Sequence, residues 1–198
     1  VALAYGRANL AAWSAEMEGD GLDAVIVNAS GCGTMVKDYG FLFREDAQWA
    51  YRATGVSAIT RDVSEFLATI GLAPVGWGQT LSVAYQPACS LSHGQKVIQE
   101  PRQLLLACGF ELFEAPDGHL CCGSAGIYNI LQPDFAGQLR GRKAAALAGT
   151  GADVIASGNV GCITQLSPAL DIPVVHIVEL LDWATGGPRP EALEEAKG

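Results

Sequence analysis

Basic residues are scarce in this chain. Twelve Lys and Arg stand against 21 Asp and Glu, a net charge of −9 over 198 residues. That balance excludes a nucleic-acid surface, which needs a basic stripe. No apolar run reaches the roughly 18 residues of a membrane span, and no secretory signal is visible, though a targeting segment lost ahead of Val1 is compatible with the sequence. Neither a Gly-x-Gly-x-x-Gly dinucleotide fingerprint nor a convincing flavin site is present. Ser124 in Cys122-Gly-Ser-Ala-Gly126 lacks the Gly-x-Ser-x-Gly frame of a nucleophile elbow, which argues against a hydrolase. Six cysteines are too few for a disulfide scaffold at this length, so metal binding or catalysis is the better reading of them.

Two of those cysteines are adjacent, in His119-Leu-Cys-Cys-Gly-Ser-Ala-Gly126. Neighbouring cysteines pair poorly with each other but can place two thiolates on one metal or cluster. Cys89 precedes the pair by 31 intervening residues, and Cys162 follows it by 39. Thiolate sets select iron–sulfur clusters, zinc or copper. Cys108, inside Leu104-Leu-Leu-Ala-Cys-Gly109, reads instead as a small buried hydrophobe.

The chain also resembles itself. Gly19–Thr34 aligns without gaps onto Gly149–Thr164, with Gly19, Gly21, Asp23, Gly31, Cys32 and Thr34 matching Gly149, Gly151, Asp153, Gly161, Cys162 and Thr164. The second copy is preceded by Cys89 and the Cys121–Cys122 pair, whereas the first has only a helical run before it. Cys32 is therefore expected to be the last ligand of an earlier site, in a fragment or divergent form of a longer two-repeat protein. The corresponding division is 1–75 for the end of a first repeat and 76–198 for the second.

Short Val/Ile/Leu/Tyr-rich segments predict strands over 23–28, 81–86, 110–115, 153–157 and 172–178. Helices are expected over 7–17, 46–53, 63–70, 99–107 and 135–148. This alternation predicts an α/β fold, Rossmann-like layers on a mostly parallel sheet, with two pseudo-repeats of which the first is incomplete. Ligands gather at the carboxyl ends of strands in such sheets. Cys32, Cys89 and Cys162 each follow a predicted strand, and the cysteine pair follows a strand and the Pro116–Gly118 turn. The four segments are thus expected to converge at one sheet edge, with Gly123, Gly126, Gly158 and Gly161 allowing close approach of the backbone.

Other side chains are open to more than one reading. His93 and His119 can ligate, hydrogen-bond a sulfur, or face solvent. His176, alternating with apolar residues, fits a satisfied strand histidine. Lys37, Asp38 and Tyr39 suit a partner contact or a solvated helix face equally.

Tyr85–Lys96, Cys121–Tyr128 and Gly158–Cys162 resemble the cysteine-rich "CCG" domain family. That domain occurs in iron–sulfur subunits of glycolate oxidase, in lactate-utilisation and anaerobic glycerol-3-phosphate dehydrogenase subunits, and in heterodisulfide reductase. Asn28–Gly40 and Ile177–Asp182 look most like the glycolate oxidase type, and the resemblance runs from about Asp23 to Thr185. It implies an electron-transfer subunit with no catalytic acid or base of its own. A flavin-containing dehydrogenase partner would oxidise a 2-hydroxy acid such as glycolate, and electrons would pass on toward a quinone or membrane-associated acceptor. The implied location is cytoplasmic, or peripheral at the inner membrane. The family's last cysteine pair is incomplete here, with Asn159 before Cys162 and Ala29 before Cys32 at the matching places. Asparagine is a hard, weak donor that cannot replace a thiolate. Four ligands remain, Cys89, Cys121, Cys122 and Cys162, the number that a [4Fe–4S] cluster or a tetrahedral zinc requires. Asn159 is then at most a hydrogen-bond partner to a sulfur, or simply the residue that holds the turn. A structural zinc closing an interaction module is the alternative use of the same cysteines.

Overall fold

The structure, a computed structural model, describes residues 2–75 and 81–195. Two parallel sheets organise it. The smaller pairs β1 (Val25–Val27) with β2 (Thr60–Asp62), and the larger has the order β4 (Glu111–Glu114), β3 (Ser82–Gln86), β5 (Val154–Ser157), β6 (Val174–His176). The helices are α1 (Ala2–Glu18), α2 (Ser30–Lys37), α3 (Tyr39–Leu42), α4 (Ala50–Ile59), α5 (Val63–Ile70), α6 (Glu100–Ala107), α7 (Tyr128–Leu131), α8 (Pro133–Ala148), α9 (Val160–Leu166), α10 (Ile177–Ala184) and α11 (Glu191–Glu195). A π-helical turn, Ser90–Gln95, follows β3. The α/β class with parallel pairing is as expected from the sequence.

The inner strands β3 and β5 of the larger sheet are buried on both faces, which is why they read as nearly continuous apolar runs. Alternation along each strand separates the two faces. Val83, Tyr85, Val154, Ala156 and Val175 share one core with Leu104 and Leu105 of α6 and Leu180 and Leu181 of α10. Ala84, Ile155 and Val174 point the other way, into a core with Leu147 of α8 and Leu166 of α9. Cys122 and Cys162 belong to that second core. A third core, around Leu10, Val36, Tyr39, Phe43, Ala53 and Val56, supports the small sheet.

The strand order places a topological switch between β3 and β5. The chain leaves β3 to one side to make β4, then returns across the sheet to make β5 on the other side. Doubly wound sheets open a crevice at the carboxyl ends of the two strands that flank such a reversal.

The sequence reading differs from the structure in identifiable places. β2 was not expected: three residues directly between α4 and α5 are too short for a periodic signal. The strand expected over 172–178 ends at His176, because His176 caps α10. Its Nδ1 accepts from Val178 N at 3.2 Å, and Glu179 Oε2 accepts from His176 N at 2.7 Å. The β-branched run continues past the strand, so composition alone cannot locate its end. Asp62 caps α5 in the same reciprocal way, accepting from Ser64 N at 2.9 Å while Glu65 accepts from Asp62 N at 3.1 Å. The helix over 63–70 is as expected. The first part of the chain runs β1–α2–α3–α4–β2–α5, and the last runs β5–α9–β6–α10, so α2 and α9 each carry a cysteine directly after a strand. The expected domain boundary after residue 75 falls against residues 76–80, outside the described residues.

Candidate metal centre

Four of the six cysteines meet at the switch point. Cys89 leaves the carboxyl end of β3 and begins the π-helical turn, while Cys162 is the third residue of α9, just beyond β5. Cys121 and Cys122 arrive from β4 through the Pro116–Gly118 turn. Cys122 Sγ lies 3.1 Å from Cys162 Sγ. Cys121 hydrogen-bonds both Cys89 and Cys122, which makes a continuous chain of thiols, Cys89–Cys121–Cys122–Cys162. All six cysteines are free thiols.

The electrostatics follow from this chain. Cys121 is pulled well below the ordinary thiol value by the hydrogen bond from Cys122, then by that from Cys89. Cys162 is lowered by its bond from Cys122. Cys89 and Cys122, the donors, are pushed up by those same bonds and by burial. Gly123 N adds a further hydrogen bond to Cys121 Sγ, at 3.4 Å.

The loop after the cysteine pair shapes the pocket. Gly123, Ala125 and Gly126 all have positive φ, +93°, +39° and +66°. Successive residues of this kind make the backbone concavities that bind anions. Ser124, Ala125 and Gly126 line a cavity of about 480 Å³, together with Cys32, Cys89, Cys122, Asn159 and Cys162. Among the described residues no imidazole or carboxylate lines it. A thiol-only donor set beside backbone amides fits an iron–sulfur cluster. Among the described residues, no three His, Cys, Asp or Glu side chains are arranged around a single metal ion.

The remaining sequence candidates fall into place around this site. Cys32, the third residue of α2, is exposed and lines the same cavity. Among the described residues it stands outside the chain of hydrogen-bonded thiols. Cys108 is buried in the core. His93 and His119 are exposed and away from the cavity lining. His176 is satisfied: beyond its helix cap, its Nε2 lies 2.7 Å from the Asn28 carbonyl oxygen. Lys37 is occupied by Glu65 at 2.5 Å, and Tyr39 is a core residue whose hydroxyl accepts from Asn9 at 3.0 Å. Neither offers a free face to a partner.

Asn159 proves to be the residue that holds the turn and joins two parts of the chain. Its Oδ1 accepts from Gly161 N at 2.8 Å, capping the helix that carries Cys162. Its Nδ2 donates to Ser30 Oγ at 2.8 Å and Ser90 Oγ at 3.3 Å, and those two hydroxyls are 2.7 Å apart. The network ties α2 to the turn that follows Cys89; sequence reasoning missed it because 129 residues separate Ser30 from Asn159. Among the described residues the Asn159 amide bonds no sulfur. Asn159→Ala should therefore cost about 1 kcal/mol for the lost cap, or up to about 2 with the hydroxyls left unpaired. Metal stoichiometry should stay at the wild-type value. Iron analysis after anaerobic loading checks it, and loss of metal from a folded variant would make Asn159 part of the ligand set.

Three thiol-bearing segments thus meet at the switch point of a parallel α/β scaffold. Residues 83–167 match the family model of the CCG cysteine-rich domain, and this part of the chain belongs to that family. The chain is 39% identical over 182 residues to the glycolate oxidase iron-sulfur subunit of Escherichia coli K12, a match that covers 92% of this chain and 44% of the relative. It is 33% identical over 175 residues to the probable glycolate oxidase iron-sulfur subunit of Bacillus subtilis 168, covering 83% and 39%. Lactate utilization protein A of Macrococcus caseolyticus is 28% identical over 167 residues, covering 81% and 68%. The chain thus spans less than half the length of either glycolate oxidase relative.

Proposed function

We propose that this chain is the electron-transferring iron–sulfur part of a complex that oxidises a 2-hydroxy acid of the glycolate type. Cys89, Cys121, Cys122 and Cys162 hold a [4Fe–4S] cluster. The observation that carries this reading is the convergence of four thiols from three segments on the carboxyl edge of one sheet. A bound cluster supplies one-electron storage. The four cysteines would ligate it, and Gly123 N, which donates to Cys121 Sγ at 3.4 Å, would hold one of those ligand sulfurs in place. In this reading residues 1–75 are the end of a first cysteine-rich repeat and 76–198 are a second. Cys32 stands on the rim of the shared cavity.

The names of the relatives support the substrate class, and the lack of catalytic groups in the cavity supports a separate flavoprotein subunit for the hydride chemistry. Electrons received from it pass toward a quinone or another acceptor. No helix among the described residues is long and apolar enough to cross a membrane, which places no anchor of that kind in this part of the chain.

The test is anaerobic reconstitution with iron and sulfide. A brown protein absorbing near 400 nm, with about four irons per chain, supports the cluster. The purified chain should reduce no artificial acceptor with glycolate until a flavoprotein subunit is added. A colourless chain that binds one zinc and no iron overturns the reading in favour of a structural zinc module.

A further inference from the structure

Lys143 lies on α8 and is fully buried, with none of its surface open to solvent. Its Nζ donates to the Gly118 carbonyl at 2.8 Å, in the turn that leads into the cysteine pair. An ammonium has three N–H donors, and burial of a cation costs several kcal/mol unless a counter-charge compensates it. Among the described residues no carboxylate lies within ion-pair distance of Nζ. Asp117, the nearest in sequence to that turn, is engaged by Arg142 at 2.8 Å. The turn held by that bond leads within three residues to Cys121, and then to Cys122. Burial pulls the Lys143 ammonium below its ordinary value, and Cys122, Cys162, Asp117 and Cys121 oppose that pull.

We propose that Lys143 is the built-in counter-cation of the thiolate site, a positioning residue whose buried charge compensates a thiolate-ligated metal group and raises its affinity for an electron. The proposal rests on the reading of the four cysteines as ligands. Four thiolates around a cluster core or a divalent metal leave a net negative charge, and a one-electron reduction makes it more negative by one. A fixed positive charge in a low-dielectric surround stabilises both states and the reduced one more. Neutralising it must therefore weaken metal binding and lower the reduction potential together. Loss of a hydrogen bond to Gly118 alone would do neither.

The experiment compares the wild-type chain with Lys143→Met and Lys143→Arg in two assays. Cobalt(II) titration of the apoprotein reads thiolate-to-metal absorption. Mediated potentiometry, in which a dye of known potential delivers the electron, reads the iron–sulfur protein. Lys143→Met should bind cobalt at least about tenfold more weakly. Its preference for the reduced state should fall about tenfold, a shift of about 59 mV to lower potential for a one-electron couple. Lys143→Arg, which keeps the charge, should stay within about threefold of wild type in both. Wild-type affinity and potential in Lys143→Met overturn the proposal, even if that variant melts lower. If Lys143→Met does not fold, Lys143→Gln takes its place with the same criteria. Failure of the ligand reading looks different: the wild-type chain itself would then bind neither cobalt nor iron at the cysteines.

Discussion

Cys122→Ser should remove the iron from the reconstituted chain, and the same substitution at Cys89, Cys121 or Cys162 should do likewise. Each of these sulfurs belongs to one continuous contact chain, so no spare thiol in it can substitute for a lost member. Loss of a residue that merely orients a ligand costs 10–100-fold in metal affinity, and loss of a ligand should exceed about 100-fold. Cys108→Ala should keep full iron, because that thiol fills the core. Cys32→Ser should keep it too, since four thiolates satisfy the cluster without it. Absorbance near 400 nm and iron per chain after anaerobic loading read all six variants. Full iron in Cys162→Ser, or its loss in Cys32→Ser, would require a different ligand set.

Gly123→Ala is expected to have the largest effect on stability. Gly123 has φ +93°, a conformation that costs a side-chain-bearing residue roughly 1–3 kcal/mol. A Cβ there would also lie 2.4 Å from the Ala136 carbonyl oxygen of α8, a backbone atom that cannot turn aside. Together these should destabilise the chain by about 3–5 kcal/mol, in the range reserved for severe steric faults. The cysteine loop would be displaced from α8, so cluster loading should fall with it. Gly137→Ala is the control. Its added methyl meets nothing within 4 Å, and in a helix interior it should be neutral or stabilising by up to about 1 kcal/mol. Denaturant midpoints of the reduced apoproteins decide the comparison. A Gly123→Ala midpoint equal to wild type would mean that the loop has another accessible position.

The family motif was legible in the sequence because its residues are close-spaced and chemically unusual. An adjacent cysteine pair followed by glycine has few uses, and parallel strands buried on both faces leave apolar runs of the observed kind. The alternation of those runs with helices determined the α/β class. The positions of Cys89, Cys121, Cys122 and Cys162 after successive strands were readable in the same way, since ligands collect at carboxyl edges whatever the strand order.

Strand order itself was not readable, and it decided the site. Only the arrangement β4-β3-β5-β6 puts the segments after β3 and β5 on either side of one crevice. Where Cys32 lies was unreadable for the same reason. In sequence it stands at the end of an earlier, separate unit, but the Ser30–Ser90–Asn159 network docks α2 beside the cysteines of the later one. Lys143 was missed because a lysine between arginine and alanines reads as surface. Its signal was the spacing of Ala136, Lys143 and Leu147, seven and four residues apart on one buried helix face. By itself, then, the sequence determined the kind of chemistry, since thiolate chemistry is a property of residue type and local spacing. Tertiary structure alone decided which thiols touch, which lysine bonds the turn before them and which asparagine holds them in place. Those depend on contacts between segments far apart in the chain, and no local pattern encodes them.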